Sequence, residues 1–318
     1  MENILQLDRA RRGHAAASSS RSTVRQILIS QKPLFSAAVL IAVACSCKHG
    51  DTTTAADADA TIAHRVVSLS PSTTETMFAI HAEDRLVGRS RYCDYPPAAL
   101  SLPEVGGYAD PNFEAILALH PDLVIGARGP AGPSLADKLA SHGALTFFPE
   151  TETLAEIDAM VIGLGDRTEH AKDAHALLDA MHAREDAVAK IVSALPHPRV
   201  LLIFGLTPTV VAGPNSFADE MISRAGGENA VKQGIPYPVL GMEQVMALNP
   251  DIVLNAAIAE AHGAERITKD TPGWRSVNAV QTDHVIALTD ESVLRPGPRV
   301  GDAIAIVARA IHPGVAIP

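Results

Sequence analysis

Apolar and polar positions along the chain follow one pattern twice. Residues 111–127 read PNFEAILALHPDLVIGA and residues 240–256 read LGMEQVMALNPDIVLNA. At an offset of 129 residues Glu114 falls on Glu243, Ala118 on Ala247, Pro121-Asp122 on Pro250-Asp251 and Val124 on Val253. In the first copy Phe113, Ile116, Leu117 and Leu119 recur at helical spacing, and Leu123-Val124-Ile125 is a short apolar run suited to a buried parallel strand. Met242, Val245, Met246 and Leu248, followed by Ile252-Val253-Leu254, repeat it. Each copy predicts a short helix, stopped by its proline, running into a short strand. Glu114 and Glu243 then occupy the first turns of equivalent helices. A carboxylate there complements the helix dipole by about 0.3–1 kcal/mol; alternatively, the two halves each present one anionic group to a common partner.

The rest of the pattern places these copies in two α/β domains. Arg65 to Leu69 predicts a first strand, Ser72 to Glu75 a capping box opening a helix through Ile80, and Leu86 to Gly88 a second strand. The loop Arg89 to Asp110 follows, with three of the four tyrosines of the chain, Tyr92, Tyr95 and Tyr108, among prolines and glycines. Such aromatics suit the covering of a flat apolar ligand face, or packing of the loop on its own domain. Residues 126–132, GARGPAG, have neither the lysine and hydroxyl of a phosphate-binding loop nor the GxGxxG order, and read as a plain βα loop. A helix from Leu135, a strand at Leu145 to Phe148 and a helix opened by the capping box Thr153 to Glu156 complete the first domain near Gly165.

From Asp166 to about Leu195 there is no Pro or Gly, and Ala174, Leu177, Leu178, Met181, Val188, Ile191 and Val192 recur at helical spacing, which predicts one helix of nearly thirty residues. Its histidines, His170, His175 and His182, are five and seven apart rather than four, and read as solvated positions instead of metal ligands. Pro196 and Pro198 end the helix. A second domain mirrors the first: a strand at Arg199 to Phe204, then Val210-Val211, a helix from Ser216 to Ala225, the second copy, a helix near Trp274, the strand His284 to Leu288 and a final helix from about Arg299 to Ile311. Ligands of open α/β sheets bind beyond the carboxyl ends of strands, so the loop Thr289 to Pro298 is a candidate for ligand contact. Within it Arg295 suits either an anionic ligand group or a neighbouring carboxylate.

Composition narrows the function. A chain of 318 residues accommodates two domains of ordinary size, and a formal net charge of −10 argues against nucleic acid. The first 47 residues read as an export leader: a basic stretch from Arg9 to Lys32, then the apolar run Leu34 to Ala44, too short to span a bilayer, leading into Cys45. A small residue before that cysteine resembles a lipoprotein box, which makes Cys45, ahead of Cys47, the candidate lipidation site of an exported, membrane-anchored protein. Residues 48–63 have the composition of a flexible tether. The remaining cysteine, Cys93, has no partner for an internal disulfide. No GxSxG, HExxH or CxxC occurs, which favours a binding protein over an enzyme. A receptor for free zinc or manganese would need three or four His/Asp/Glu ligands, and the usual His-rich acidic loop is absent from the sequence.

From about Arg65 to Pro313 the sequence resembles the solute-binding proteins of ABC importers for cobalamin, haem and ferric siderophores. RVVSLSPSTTE, the CDYPP at Cys93 to Pro97, EAILALHPDLVI and the RPGPR at Arg295 to Arg299 carry the likeness. It implies two Rossmann-like α/β lobes joined by one long rigid α-helix, the class III periplasmic-binding-protein fold, with lobes at 64–165 and 196–318 and the linking helix at 166–195. It also implies a monomer that captures a metal chelate between its lobes and delivers it to a membrane permease with its ATPase subunits. Glu114 and Glu243 match the positions at which such proteins dock on permease arginines. The CDYPP-type loop brings the sequence nearest to the cobalamin-binding members, whose ligand contacts map on Tyr92, Tyr108, Glu291, Ser292, Val293, Leu294 and Arg295. Haem remains an alternative, with Tyr92, Tyr95 or Tyr108 as iron ligand, and so does a ferric siderophore, through Arg89 and Arg295.

Overall fold

Short apolar runs become parallel strands in both halves of the chain. The computed structural model describes residues 62–128, 132–257 and 266–318. The leader, Cys45, all but the last two residues of the tether and part of the 126–132 loop lie outside the described residues.

In the first lobe β1 (Val66–Ser68), α1 (Pro71–Ala79), β2 (Leu86–Arg89), α2 (Phe113–Ala118), β3 (Leu123–Ile125), α3 (Gly132–Ala140), β4 (Leu145–Phe147) and α4 (Leu154–Thr168) follow one another. Their four strands form a parallel sheet in the order β2-β1-β3-β4. Helix α5 (Ala171–Val192) leads to the second lobe, made of β5 (Arg199–Leu206), β6 (Thr209–Val211), α6 (Phe217–Arg224), β7 (Glu228–Asn229), α7 (Met242–Leu248), β8 (Ile252–Asn255), α8 (Asn278–Gln281), β9 (Val285–Ala287) and α9 (Val300–Ile311). The sheet order is β6-β5-β8-β9 with β7 also beside β5, and among the described strands only the β5–β6 pair is antiparallel.

The repeated stretch is α2–β3 in one lobe and α7–β8 in the other, each strand lying beside the first strand of its sheet. The repetition extends to hydrogen bonds. Asp122 accepts from the backbone N–H groups of His64 and Arg65 at 2.8 and 3.0 Å, and Asp251 accepts from that of Arg199 at 2.9 Å. The guanidinium groups of Arg65 and Arg199 donate to the Leu119 and Leu248 carbonyls at 2.6 and 2.7 Å, satisfying orphan acceptors at the ends of α2 and α7. Both helices finish in a left-handed residue, His120 or Asn249, just ahead of the proline expected to stop them.

Two expectations are corrected. The cap of α1 is Ser70, not Ser72, with Pro71 at the first helical position, so Glu75 is released from capping. The helix expected from Asp166 is two helices. Helix α4 runs to Thr168, the chain turns through Glu169 at φ 64°, and α5 starts at Ala171. The turn is held by His170 N–H donating to the Gly165 carbonyl at 2.9 Å and by Arg85 donating to Glu169 at 3.2 Å. The capping box of Thr153 and Glu156 forms as expected.

Helix α5 buries Ala174, Leu178, Met181, Val188 and Val192. These side chains belong to one apolar core that runs from Met77, Ile125 and Leu164 in the first lobe to Leu202, Ile304 and Ile311 in the second. Separate smaller cores fill the other face of each sheet.

Candidate ligand cleft and docking surface

The loops beyond the strand ends of the two lobes meet, and polar contacts among the described residues join them at three places. The first centres on Glu75 of α1, which is buried. Its carboxylate accepts from Arg299 Nε at 2.7 Å and Nη2 at 2.8 Å, and from Arg295 Nη1 at 3.2 Å. At the second, the Tyr237 hydroxyl donates to Glu152 at 2.7 Å; at the third, the Leu154 N–H donates to Glu220 at 2.7 Å.

Arg295 therefore meets carboxylates. Besides Glu75 it donates to Asp94 at 2.8 Å and contacts Glu291. Burial opposes its charge, but Asp94, Glu291 and Glu75 outweigh that and hold its pKa above the ordinary arginine value. Asp290 caps the short turn Glu291–Leu294 by accepting from the Ser292 N–H at 2.9 Å. Burial works against the charge of Asp290, yet that bond and the two arginines keep its pKa lowered. Gly297 lies between the arginines because a Cβ there would come within 3.3 Å of Ser72 Cα.

The aromatic loop lies opposite. Tyr92 and Tyr95 are 37% and 45% exposed, large values for tyrosines on a domain surface. Arg299 stacks on the Tyr95 ring with its guanidinium carbon 4.1 Å from the centroid, and Arg91 lies 5.6 Å from the Tyr92 centroid. Arg91 is itself held by Asp110 through two bonds of 3.0 and 2.9 Å. Tyr108 is half-buried and donates to the Arg128 carbonyl at 2.6 Å. Burial, with Glu152 and Glu150 nearby, pushes its hydroxyl pKa up, so it stays a neutral donor. Cys93 is buried below the loop with Sγ 3.3 Å from Ser90 Oγ, and burial pushes its thiol up. That environment suits a packing residue, not a nucleophile.

Among the residues expected at a ligand, Tyr92, Glu291 and Leu294 keep exposed or half-exposed side chains, whereas the Arg295 side chain is only 14% exposed. Ser292 and Val293 are buried, and Val293 belongs to the core that joins the lobes. Tyr237 was missed by sequence reasoning. It faces the cleft from the second lobe, half-buried, 5.6 Å edge-to-face from Phe204. Its signal was present: GIPYP at 234–238 is a second proline-stiffened segment around a tyrosine.

Glu114 and Glu243 are exposed in the first turns of α2 and α7, and neither has a hydrogen bond or ion pair among the described residues. Among the described residues no group of three or more His, Cys, Asp and Glu side chains is placed to hold a metal ion, and no described helix is long and apolar enough to cross a membrane.

A family model described as periplasmic binding protein matches residues 66–292, a span that includes both sheets and α5. A vitamin B12-binding protein of Yersinia pestis (strain Pestoides F) is 30% identical over 239 residues, 75% of this chain and 82% of the relative. The crystal structure of a periplasmic vitamin B12 binding protein of Vibrio cholerae superposes with a TM-score of 0.67 at 30% identity, covering 78% of this chain and 96% of that one. A periplasmic haem binding protein from Pseudomonas aeruginosa superposes with a TM-score of 0.69 at 27% identity, over 80% of this chain and 95% of that one.

Proposed function

The chain belongs to the periplasmic binding protein family, and we propose that it is the substrate-binding component of an ABC importer whose cargo is cobalamin or another corrinoid, taken up between the lobes. Its two α/β lobes and interposed helix suit a binding protein, and its relatives include proteins named for vitamin B12 and for haem. The pairing of the cleft arginines favours the corrinoid. Arg91, Arg128, Arg295 and Arg299 each have a carboxylate partner, and Arg89, which has none, is buried and donates to the Ser90 carbonyl, so an anionic chelate would bring its charge to a surface with no exposed free cation among those five. A ligand that presents neutral amides around an apolar ring meets no such penalty. The exposed Tyr92 and Tyr95 offer aromatic surface and hydroxyls, and Leu294 an apolar edge.

The rest of the reading follows from this role. Glu114 and Glu243 are the permease contacts, one on each lobe. Residues 1–47 carry the export leader and, at Cys45, the lipid anchor that holds a monomeric protein at the membrane of the cell envelope.

The test is retention. The exported domain is incubated with cyanocobalamin, haem or a ferric siderophore, then desalted, and the visible spectrum and affinity of what stays bound are recorded. Retention of the corrinoid at micromolar affinity or better is the expected result. Retention of haem alone would transfer the assignment to haem, with Tyr92, beside Arg91, as the iron ligand to examine.

A further inference from the structure

Two segments far apart in sequence form one device. Ser70 to Glu75 belongs to the first lobe and Arg295 to Arg299 to the second, yet Glu75 binds both arginines and Gly297 packs on Ser72. Each arginine then reaches one step further, into the aromatic loop of the first lobe. Arg295 donates to Asp94 at 2.8 Å, and Arg299 stacks on Tyr95 at 4.1 Å. Glu75 is thus the fixed point of a chain that begins in the first lobe, crosses to the second and returns to the loop that carries Tyr92.

We propose that Glu75, Arg295 and Arg299 are positioning residues: they contact the ligand loop, not the ligand, and set the Tyr92–Tyr95 segment against the second lobe before any ligand arrives. Several observations point this way. Both terminal nitrogens of Arg295 are occupied, Nη1 by Glu75 and Asp94 and Nη2 by Glu291. Glu75 is 3% exposed, too deep to be a ligand contact, while Asp94 and Tyr95, at the end of the chain, remain open to the cleft. A buried carboxylate shared by two guanidinium groups is costly to remove from one side only, which makes it a durable anchor for a loop. The proposal rests on the reading that the cleft takes a chelate, and it has a consequence without ligand that tests it separately.

Hydrogen exchange on the ligand-free protein reads that consequence. In Glu75→Gln the amides of residues 92–95 should exchange about tenfold faster than in wild type, while those at the centre of α5 are unchanged. Asp94→Asn, altered at a half-exposed side chain, should loosen the same amides and supplies the test if Glu75→Gln does not fold. Unchanged exchange at 92–95 in a folded variant overturns the proposal. Stopped-flow binding of cyanocobalamin adds the functional readout. If a preset loop is lost, the association rate falls about tenfold because only a fraction of molecules is competent, and the dissociation rate changes much less. A variant with an intact association rate and faster dissociation would mark these residues as direct contacts and overturn the proposal. Failure of the wild-type protein to retain any chelate would sink the reading of the cleft, while the exchange experiment would still decide the positioning role.

Discussion

At the scale of single residues, the side chains that decide behaviour are those whose partners are remote in sequence. The Pro-Asp pairs of the repeat could be read as strand starts, but not that Asp122 and Asp251 receive backbone N–H groups from the first strand of each lobe, because nothing local signals such a partner. Arg295 was legible only as a choice between ligand and carboxylate, and the carboxylates were Glu75, Asp94 and Glu291. Titration gives a testable case. His312 is buried with Nε2 3.2 Å from the Ala225 carbonyl, and burial pushes its pKa down despite that hydrogen bond. A lowered histidine binds its proton more tightly in the unfolded chain. Its stabilising effect is complete above the ordinary value of about 6.5 and is lost as pH falls below it. His182 runs the other way: hydrogen bonding to Asp158 raises its pKa, so its contribution is present below about 6.5 and fades as pH rises through the raised value. That pair is solvent-screened and is worth well under about 1 kcal/mol, so the buried histidine prevails. Urea midpoints at about pH 7.5 and about pH 5.5 should show wild type losing more stability on acidification than His312→Leu does. Equal losses would mean that His312 keeps its ordinary pKa.

At the scale of elements, periodicity located nearly every helix and strand but missed the break between α4 and α5. The sequence there contains no proline or glycine at the turn itself, and the left-handed residue is a glutamate, Glu169, which costs little enough to be held by Arg85 and the His170 bond. The informative glycine comes earlier. A Cβ on Gly165 would lie 2.5 Å from the Ala174 Cβ, so the two helices pack closely at this position. Gly165→Ala should cost about 1–3 kcal/mol by forcing the helices apart, although alanine favours a helix by itself. A denaturant midpoint equal to or above that of wild type would contradict the packing account. Most of the buried face of α5 was legible by comparison: Ala174, Leu178, Met181, Val188 and Val192 pack inward as their spacing requires, while Leu177 and Ile191 are only half-buried and the buried Glu185 was not expected there.

At the scale of the whole molecule, the repeat places two exposed carboxylates, Glu114 and Glu243, at equivalent points of two lobes that share one core. Paired charges held on a firm frame give orientation and encounter rate more than affinity. The Glu114→Lys/Glu243→Lys protein should lose stimulation of transport in reconstituted vesicles while its ligand affinity in solution stays within about threefold of wild type, because neither residue has a partner among the described residues. Loss of ligand affinity in parallel would tie these glutamates to the cleft instead. The common core has one more outcome, in the way the chain melts. Because apolar side chains of both lobes pack into it through α4 and α5, and α9 closes it from the carboxyl end, neither lobe has a complete interior of its own. Calorimetry should record one cooperative transition, with the van't Hoff and calorimetric enthalpies in agreement, where two independent lobes would give two. A chain cut before Val300 should be left without a cooperative transition, so that folding waits until the last helix has been delivered.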